Sequence, residues 1–302
     1  MNKKIASIVL KAVVGIFLAY AVFFSLVGTA AILYAYSSVQ KPINQVKRLV
    51  HENPTETTYM ADLRHELKRK GGTDTLSHRF VPLDSISKSL VNAVVASEDD
   101  GFWVHPGFDI NAIAAAFERN RISGKIEFGG STLTQQLAKN LFLNSNRSFG
   151  RKFQELGYAL LMEKYLGKKR IMELYLNYAQ WGPRIFGCEA ASRFYFHKAS
   201  KNLSVREAAR LAATLAHPST NPGNEKSAFL GKRVQVIADN LYTKHLIDDS
   251  GYIALAGKEP PRKDSAQADD EDGVDAAPVQ QQPSTPPDEP VRRRWRTRDD
   301  AQ

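Results

Sequence analysis

Three stretches of the chain gather side chains able to move a proton or hold a phosphate. The first runs Ser97-Glu98-Asp99-Asp100-Gly101-Phe102-Trp103-Val104-His105-Pro106-Gly107-Phe108-Asp109. Carboxylates close an apolar helical pattern there and lead straight into aromatics, a histidine and glycines. A carboxylate against aromatic surface loses water, which tends to raise its pKa and fit it for proton transfer. Acids at a helix C-terminus also face the unfavourable end of the dipole, a placement that favours a functional reason for them. The plain alternative is a helix that ends in acids, with His105 packed in a turn.

The second stretch is Gly129-Gly130-Ser131-Thr132-Leu133-Thr134-Gln135-Gln136-Leu137-Ala138-Lys139-Asn140. As a helix it shows leucine on one face and Thr, Gln, Lys and Asn on the other. Lys139 lies one turn beyond Gln135 and Gln136, so ammonium and amides can meet one polar ligand. Two glycines ahead of the helix leave backbone N–H groups open to an anion. The third stretch is Arg151-Lys152-Phe153-Gln154-Glu155, with Arg151 and Glu155 one turn apart on a shared face. An arginine fork suits a pair of phosphate oxygens, and lysine adds a point charge. Each stretch also has an ordinary reading, as a solvated polar face or as a surface ion pair worth ~0.2–0.5 kcal/mol.

The elements needed to position these groups are helical. Ile86, Leu90, Ala93, Val94 and Ser97 recur on one face and predict a helix leading into Glu98. Asp109 caps a helix carrying Ile110, Ile113, Ala114 and Phe117 and ending at Gly124. Thr132 with Gln135 forms a capping box ahead of the stripe Leu133, Leu137 and Leu141. Phe153, Leu156, Leu160 and Leu161 mark the next helix, and Ile171, Leu174, Tyr175 and Tyr178 the one after. Ser204 and Glu207 make a second capping box before Ala208, Leu211, Ala212 and Leu215, with Pro218 as the stop. A further helix is expected near Tyr59–Lys70, ending at Gly71-Gly72, and a short extended piece at Phe80, Val81 and Leu83. Strand-like alternation is nearly absent, so the fold class is all-α, or mainly α.

The ends differ from the middle. No charged residue occurs from Ala12 to Gln40, and residues 12–36 are almost wholly apolar. About 20 helical residues cross a bilayer core of ~30 Å, so this run is long enough to span. Lys3, Lys4 and Lys11 precede it and keep residues 1–11 cytoplasmic by the positive-inside tendency. A cleaved signal peptide is the rival, with small residues at Gly28-Thr29-Ala30-Ala31, but the apolar run continues past them. Residues 37–74 read as a polar, membrane-proximal stalk, and 75–257 as the folded domain. From 258 to 302 the composition turns to Pro, Gln, Ser, Ala and Asp, too poor in apolar surface to order itself, with a basic end at Arg292-Arg293-Arg294-Trp295-Arg296-Thr297-Arg298. The formal charge of +9 suits a nucleic acid, an anionic membrane or an acidic substrate, and alone selects none. The single cysteine, Cys188, excludes an internal disulfide and reads as packing.

Taken in order, the three stretches resemble the family 51 peptidoglycan glycosyltransferases, in particular the monofunctional membrane-anchored kind. Glu98, Asp99, Phe102, His105 and Gly107 match Glu-Asp-x-x-Phe-x-x-His-x-Gly, and residues 129–140 match Gly-x-Ser-Thr-x-Thr-Gln-Gln-Leu-x-Lys-Asn throughout. Arg151, Lys152 and Glu155 match Arg-Lys-x-x-Glu. Ile171-Met172-Glu173-Leu174-Tyr175-Leu176-Asn177 resembles a fourth motif with Met172 in a leucine position, and Ala208 to Pro218 a fifth. Asp100-Gly101 and Ala216-His217-Pro218 depart from the usual pattern in loops.

The resemblance implies a lysozyme-like helical domain that polymerises lipid II by inverting glycosyl transfer and releases undecaprenyl pyrophosphate. Carried onto this chain, Glu98 is the general base. Glu155 assists at the donor pyrophosphate, directly or through a divalent cation such as Mg or Mn. Lys139 and Arg151 neutralise the leaving group, and Ser131, Thr132, Gln135 and Gln136 hold sugar or phosphate. Asp99, Phe102, His105, Gly130, Asn140, Lys152, Glu173 and Asn177 complete the implied substrate-binding set. The implied location is the inner membrane with the domain periplasmic. The implied partners are lipid II, the nascent glycan, the bilayer and other cell-wall synthesis or division proteins reached through the anchor, with no nucleic acid. No transpeptidase domain is expected in this chain. A muramidase-like hydrolase and a non-catalytic assembly scaffold of the same fold are the competing readings.

Overall fold

In the computed structural model the described residues are 3–123, 130–144 and 149–261. Among them are eleven α-helices and three very short strands. The first helix, α1 (Lys3–Arg48), carries the apolar run as one continuous rod, and its lipid-length portion is wholly exposed, as a membrane-crossing helix would be. Pro42 interrupts its hydrogen-bond ladder near the lower end.

Then follow α2 (Thr58–Arg69), β1 (Ser77–His78), α3 (Lys88–Glu98), α4 (Ile110–Ser123) and α5 (Leu133–Phe142). Next come α6 (Phe149–Tyr165), α7 (Gly167–Tyr178), β2 (Gln180–Gly182), β3 (Ile185–Phe186) and α8 (Cys188–Phe196). The described chain closes with α9 (Val205–Ala213), α10 (Ala228–Thr243) and α11 (Asp249–Ala256). The strands form one small sheet in the order β1-β3-β2, with β1 parallel and β2 antiparallel to β3.

The core is a helical stack around α5 and α7. Leu133, Leu137 and Ala138 of α5 are fully buried against α6 and α7, and α3 packs along α9 and α10. The capping boxes at Thr132 and Ser204 are both formed with reciprocal side-chain bonds. Phe80, Val81 and Leu83 do not make a strand. Pairing with β3 falls instead on Ser77 and His78, and a 3-10 turn begins at Leu83.

The membrane-proximal segment is part of the body of the domain rather than a free stalk. Val46, Leu49 and Met60 are buried in the core, and Thr58 Oγ1 donates to the α5 carbonyl of Leu141 at 2.8 Å. Tyr158 donates to Gln45 Oε1 at 2.7 Å, and Tyr178 to Pro54 O at 2.5 Å. Arg170 donates to the carbonyls of Leu49 and Glu52 and to Asn53 Oδ1. A few well-spaced apolar residues in an otherwise polar stretch are enough to dock it.

Asp109 does cap α4, accepting from Ala112 N at 2.9 Å, but the apolar residues of α4 are turned outward. Ile110, Ile113 and Phe117 are exposed, Phe117 to 70%, and Phe153 of α6 is exposed to 77%. A contiguous apolar face of this kind signals an apolar partner rather than a core.

Candidate active site

Glu98 is the last residue of α3, and its side chain is only 12% exposed. Oε1 accepts from Arg233 Nη2 at 3.0 Å and from Ser97 Oγ at 3.2 Å, while Oε2 accepts from Gln136 Nε2 at 3.2 Å. Burial pushes this carboxyl above its ordinary pKa, and Gln136, Arg233 and Ser97 oppose that push only in part. The Gln136 amide is itself fixed, because its Oε1 accepts from Tyr175 of α7 at 3.0 Å. Burial raises the Tyr175 phenol well above its usual value, and the charges of Glu98 and Asp99 add to the effect.

Asp99, next in the chain, turns the other way. Its Oδ2 accepts from the Leu133 backbone N–H at 2.8 Å, and both oxygens lie within 3.0 Å of His105 Nε2. Gly107 N donates to His105 Nδ1 at 3.0 Å, which fixes the proton on Nε2 and the bond as imidazole to carboxylate. Burial raises Asp99, with the Leu133 N–H and His105 pulling back. The first motif therefore caps the helix that bears the second. Thr132 completes the joint by donating to Gly107 O at 2.7 Å. Two glycines make the contact possible. Gly107 sits at φ +94 against Glu163, and a Cβ on Gly130 would lie 2.8 Å from Ile113 Cα.

The third motif meets the start of α5. Lys152 donates to Ser131 Oγ at 3.1 Å and to Glu155 Oε1 at 2.5 Å, so the partner of Glu155 is Lys152. Glu155 is buried, Lys152 is largely exposed and Arg151 is partly exposed. Beside them Phe108, Ile113, Gln135, Lys152, Phe153 and Leu156 line an apolar recess of about 310 Å³. On the other side of α5 lies a polar cleft of about 250 Å³. Gln136, Lys139, Asn140 and Tyr175 line it, with Tyr59, Gln180, Leu215 and Pro218. Glu98 is joined to that cleft through its bond with the lining residue Gln136.

Several residues of the implied substrate-binding set hold the framework. Asp99, His105, Thr132 and Gln135 are buried and spend their polar atoms on one another or on backbone. Phe102 is fully buried, and Lys168 Nζ lies 4.6 Å from its ring centroid. Asn177 is fully buried and bridges Val81 N and O to Glu173 O, while Glu173 accepts from Leu83 N and pairs with Arg170. These side chains fix the spacing between α3, α5 and α7. Of the polar side chains in the implied set, Gln136, Lys139 and Asn140 line the polar cleft, and Gln135 and Lys152 line the apolar recess. Arg233 and Tyr59 were not expected at the site, since each comes from a helix whose local pattern shows only ordinary amphipathic spacing.

Among the described residues no group of three or more His, Cys, Asp or Glu side chains converges as metal ligands. Glu155, the expected ligand, has an oxygen occupied by Lys152. Cys188 is fully buried, and burial pushes its thiol up to about 12, so it is an inert packing group.

The Transglycosylase family profile matches residues 65–242. The chain is similar to the "Biosynthetic peptidoglycan transglycosylase" of Herminiimonas arsenicoxydans, 42% identical over 193 residues, covering 64% of this chain and 84% of that protein. A protein of the same name from Cupriavidus metallidurans is 48% identical over 170 residues, 55% of this chain and 72% of its own. That of Thiobacillus denitrificans is 43% identical over 188 residues, 62% of this chain and 81% of its own. The matched segment runs from α2 to α10, encloses every motif of the site and takes in more than half of the chain, which belongs to the transglycosylase family.

Proposed function

We propose that the chain is a peptidoglycan glycosyltransferase that polymerises lipid II while held in the inner membrane by α1, its N-terminus cytoplasmic and its domain outside. The observation that carries the reading is Glu98, a desolvated carboxylate behind a polar cleft, on the same helix–helix joint as the cationic third motif. The acceptor sugar's 4-hydroxyl attacks the anomeric carbon of the donor. As that C–O bond forms, the hydroxyl proton passes to Glu98 and the bond to the pyrophosphate oxygen breaks, with inversion. Gln136 and Asn140 face the sugars from the polar cleft, and Lys139 beside them meets the developing charge of the pyrophosphate. Arg151, Lys152 and Ser131 receive the negative charge that develops on the departing pyrophosphate, the task preorganised cations perform best. The apolar recess beside Lys152, continuous with the outward face of α4, accommodates the polyprenyl chain at the bilayer surface.

The test is polymer formation from labelled lipid II by detergent-solubilised protein, wild type beside Glu98→Gln. Polymer from the wild type alone supports the reading; near-normal polymer from Glu98→Gln removes Glu98 as the base. Because burial raises the Glu98 pKa, the acidic limb of kcat/KM is expected above the ordinary glutamate range of about 4.3. The sign follows from the role: a base must be ionised, so activity is lost as pH falls through its pKa. A carboxyl raised by burial also suits the acid of a glycan hydrolase. A hydrolase would digest isolated cell-wall glycan and ignore lipid II.

A further inference from the structure

The end of α3 is a poor place for a carboxylate, because the last carbonyls of a helix carry the negative end of its dipole and lack donors. One carbonyl, that of Val95, is met locally by Asp99 N. The next ones are met from α10. Asn240 Nδ2 donates to Ala96 O at 2.8 Å and Arg233 Nη2 to Ser97 O at 3.1 Å. Just past the end of α10, Lys244 Nζ donates to Asp100 O at 2.7 Å. Positions 233, 240 and 244 fall on one face of a helix. One side of α10 therefore caps the helix that presents Glu98, and two of its three capping side chains are cations, the sign that suits this pole.

Arg233 does more than cap. The same Nη2 lies 2.8 Å from Ser97 Oγ and 3.0 Å from Glu98 Oε1, in a pair largely withdrawn from water. Its Nε is buried without a partner among the described residues, an unfavourable arrangement. The guanidinium is thus committed to the Ser97–Glu98 end at the expense of its own hydrogen bonding.

We propose that Arg233 is a positioning residue for glycosyl transfer. It holds Oε1 of Glu98 and keeps the group a carboxylate, leaving Oε2, touched by the neutral amide of Gln136, to receive the acceptor's proton. This rests on the reading of Glu98 as the base. The other groups facing Glu98 come from its own helix end and from α5 and α7. The residue after it is Asp99, backed by His105 and Lys168; α5 brings the uncharged Gln136, with Lys139 lining the same cleft; α7 brings the Tyr175 phenol. The charged side chains of α9 are engaged elsewhere, Glu207 with Lys198 and Ser204, and Arg210 with Pro222 O. Arg233 is the cation that bonds Glu98 directly.

The experiment is the pH dependence of kcat/KM on lipid II for wild type, Arg233→Gln, Arg233→Met and Arg233→Lys, each with a thermal unfolding curve, and Glu98→Gln alongside. Removing a cation from a carboxylate raises the carboxylate's pKa. The acidic limb of Arg233→Gln and Arg233→Met is therefore expected to move up by about one pH unit or more, with activity recovering toward wild type in alkali. Arg233→Lys is expected to keep the limb near its original place. An equal loss at every pH with the limb unmoved overturns the proposal, as does an unchanged profile. Loss of folding in both neutral variants overturns it as well, since Arg233 would then serve the fold. Turnover by Glu98→Gln strikes the underlying reading instead, and is seen separately.

Discussion

Lys139 and Arg151 make a sharp comparison at the level of single side chains. Lys139 lines the polar cleft with Gln136 and Asn140, and Arg151 precedes the Lys152–Glu155 pair on α6. If both serve developing negative charge, Lys139→Ala and Arg151→Ala each lower turnover on lipid II by more than about tenfold, or ~1.4 kcal/mol of transition-state stabilisation. A smaller loss at either position, in a protein with unchanged thermal unfolding, removes that residue from the pyrophosphate role. Asp99 and His105 belong to another class, because their bonds run to Leu133 N and Gly107 N rather than to open space. The motif spelling made Glu98, Gln136 and Lys139 legible, since their residue types are chemical. It did not separate contacting residues from buttressing ones, because burial decides that, and burial depends on contacts far apart in the chain. Arg233 illustrates the limit: it meets Glu98 from 135 positions away, and nothing around it in sequence points there.

Helices carry the next level, and α5 is the one on which the site hinges. Its N-terminus is satisfied three times over, by the Thr132 hydroxyl, the Gln135 side chain and the Asp99 carboxylate. Thr132→Ala removes the bond to Gln135 N and the bond to Gly107 O together. It should lower stability by about 1–2 kcal/mol in denaturant unfolding, with Thr132→Ser restoring most of it. Equal stability of wild type and Thr132→Ala would mean that Asp99 alone caps the helix. Gly130→Ala would drive a Cβ to 2.8 Å from Ile113 Cα and should shift the loop away from α4, lowering activity more than stability. At this level the sequence was most readable. Periodicity located α3, α5 and α7, and both capping boxes formed as spelled. Strands of two or three residues are too short for alternation to register, so β1, β2 and β3 were invisible. The stripe of α4 was visible, but periodicity cannot say whether an apolar face meets protein or lipid.

For the molecule as a whole, α1 does not end with its apolar run. It enters the domain, where Val46 and Leu49 join the core and Gln45, Leu49, Glu52 and Asn53 are bonded to α6 and α7. If α1 crosses the bilayer as proposed, it behaves as a mast, setting the altitude of the site above the bilayer and the compass bearing it faces. Those two coordinates can be separated by inserting residues after Tyr36, above the docked portion. A single insertion turns the domain by about 100° and lifts it by about 1.5 Å; seven residues return the bearing to within ~20° but lift it by about 10 Å. Substrates diffusing laterally in a membrane arrive from every direction, so bearing should be immaterial and altitude decisive. In liposomes carrying lipid II, the one-residue insertion is expected to polymerise nearly as well as wild type and the seven-residue insertion poorly. Equal activity of the two would mean that the lower end of α1 yields.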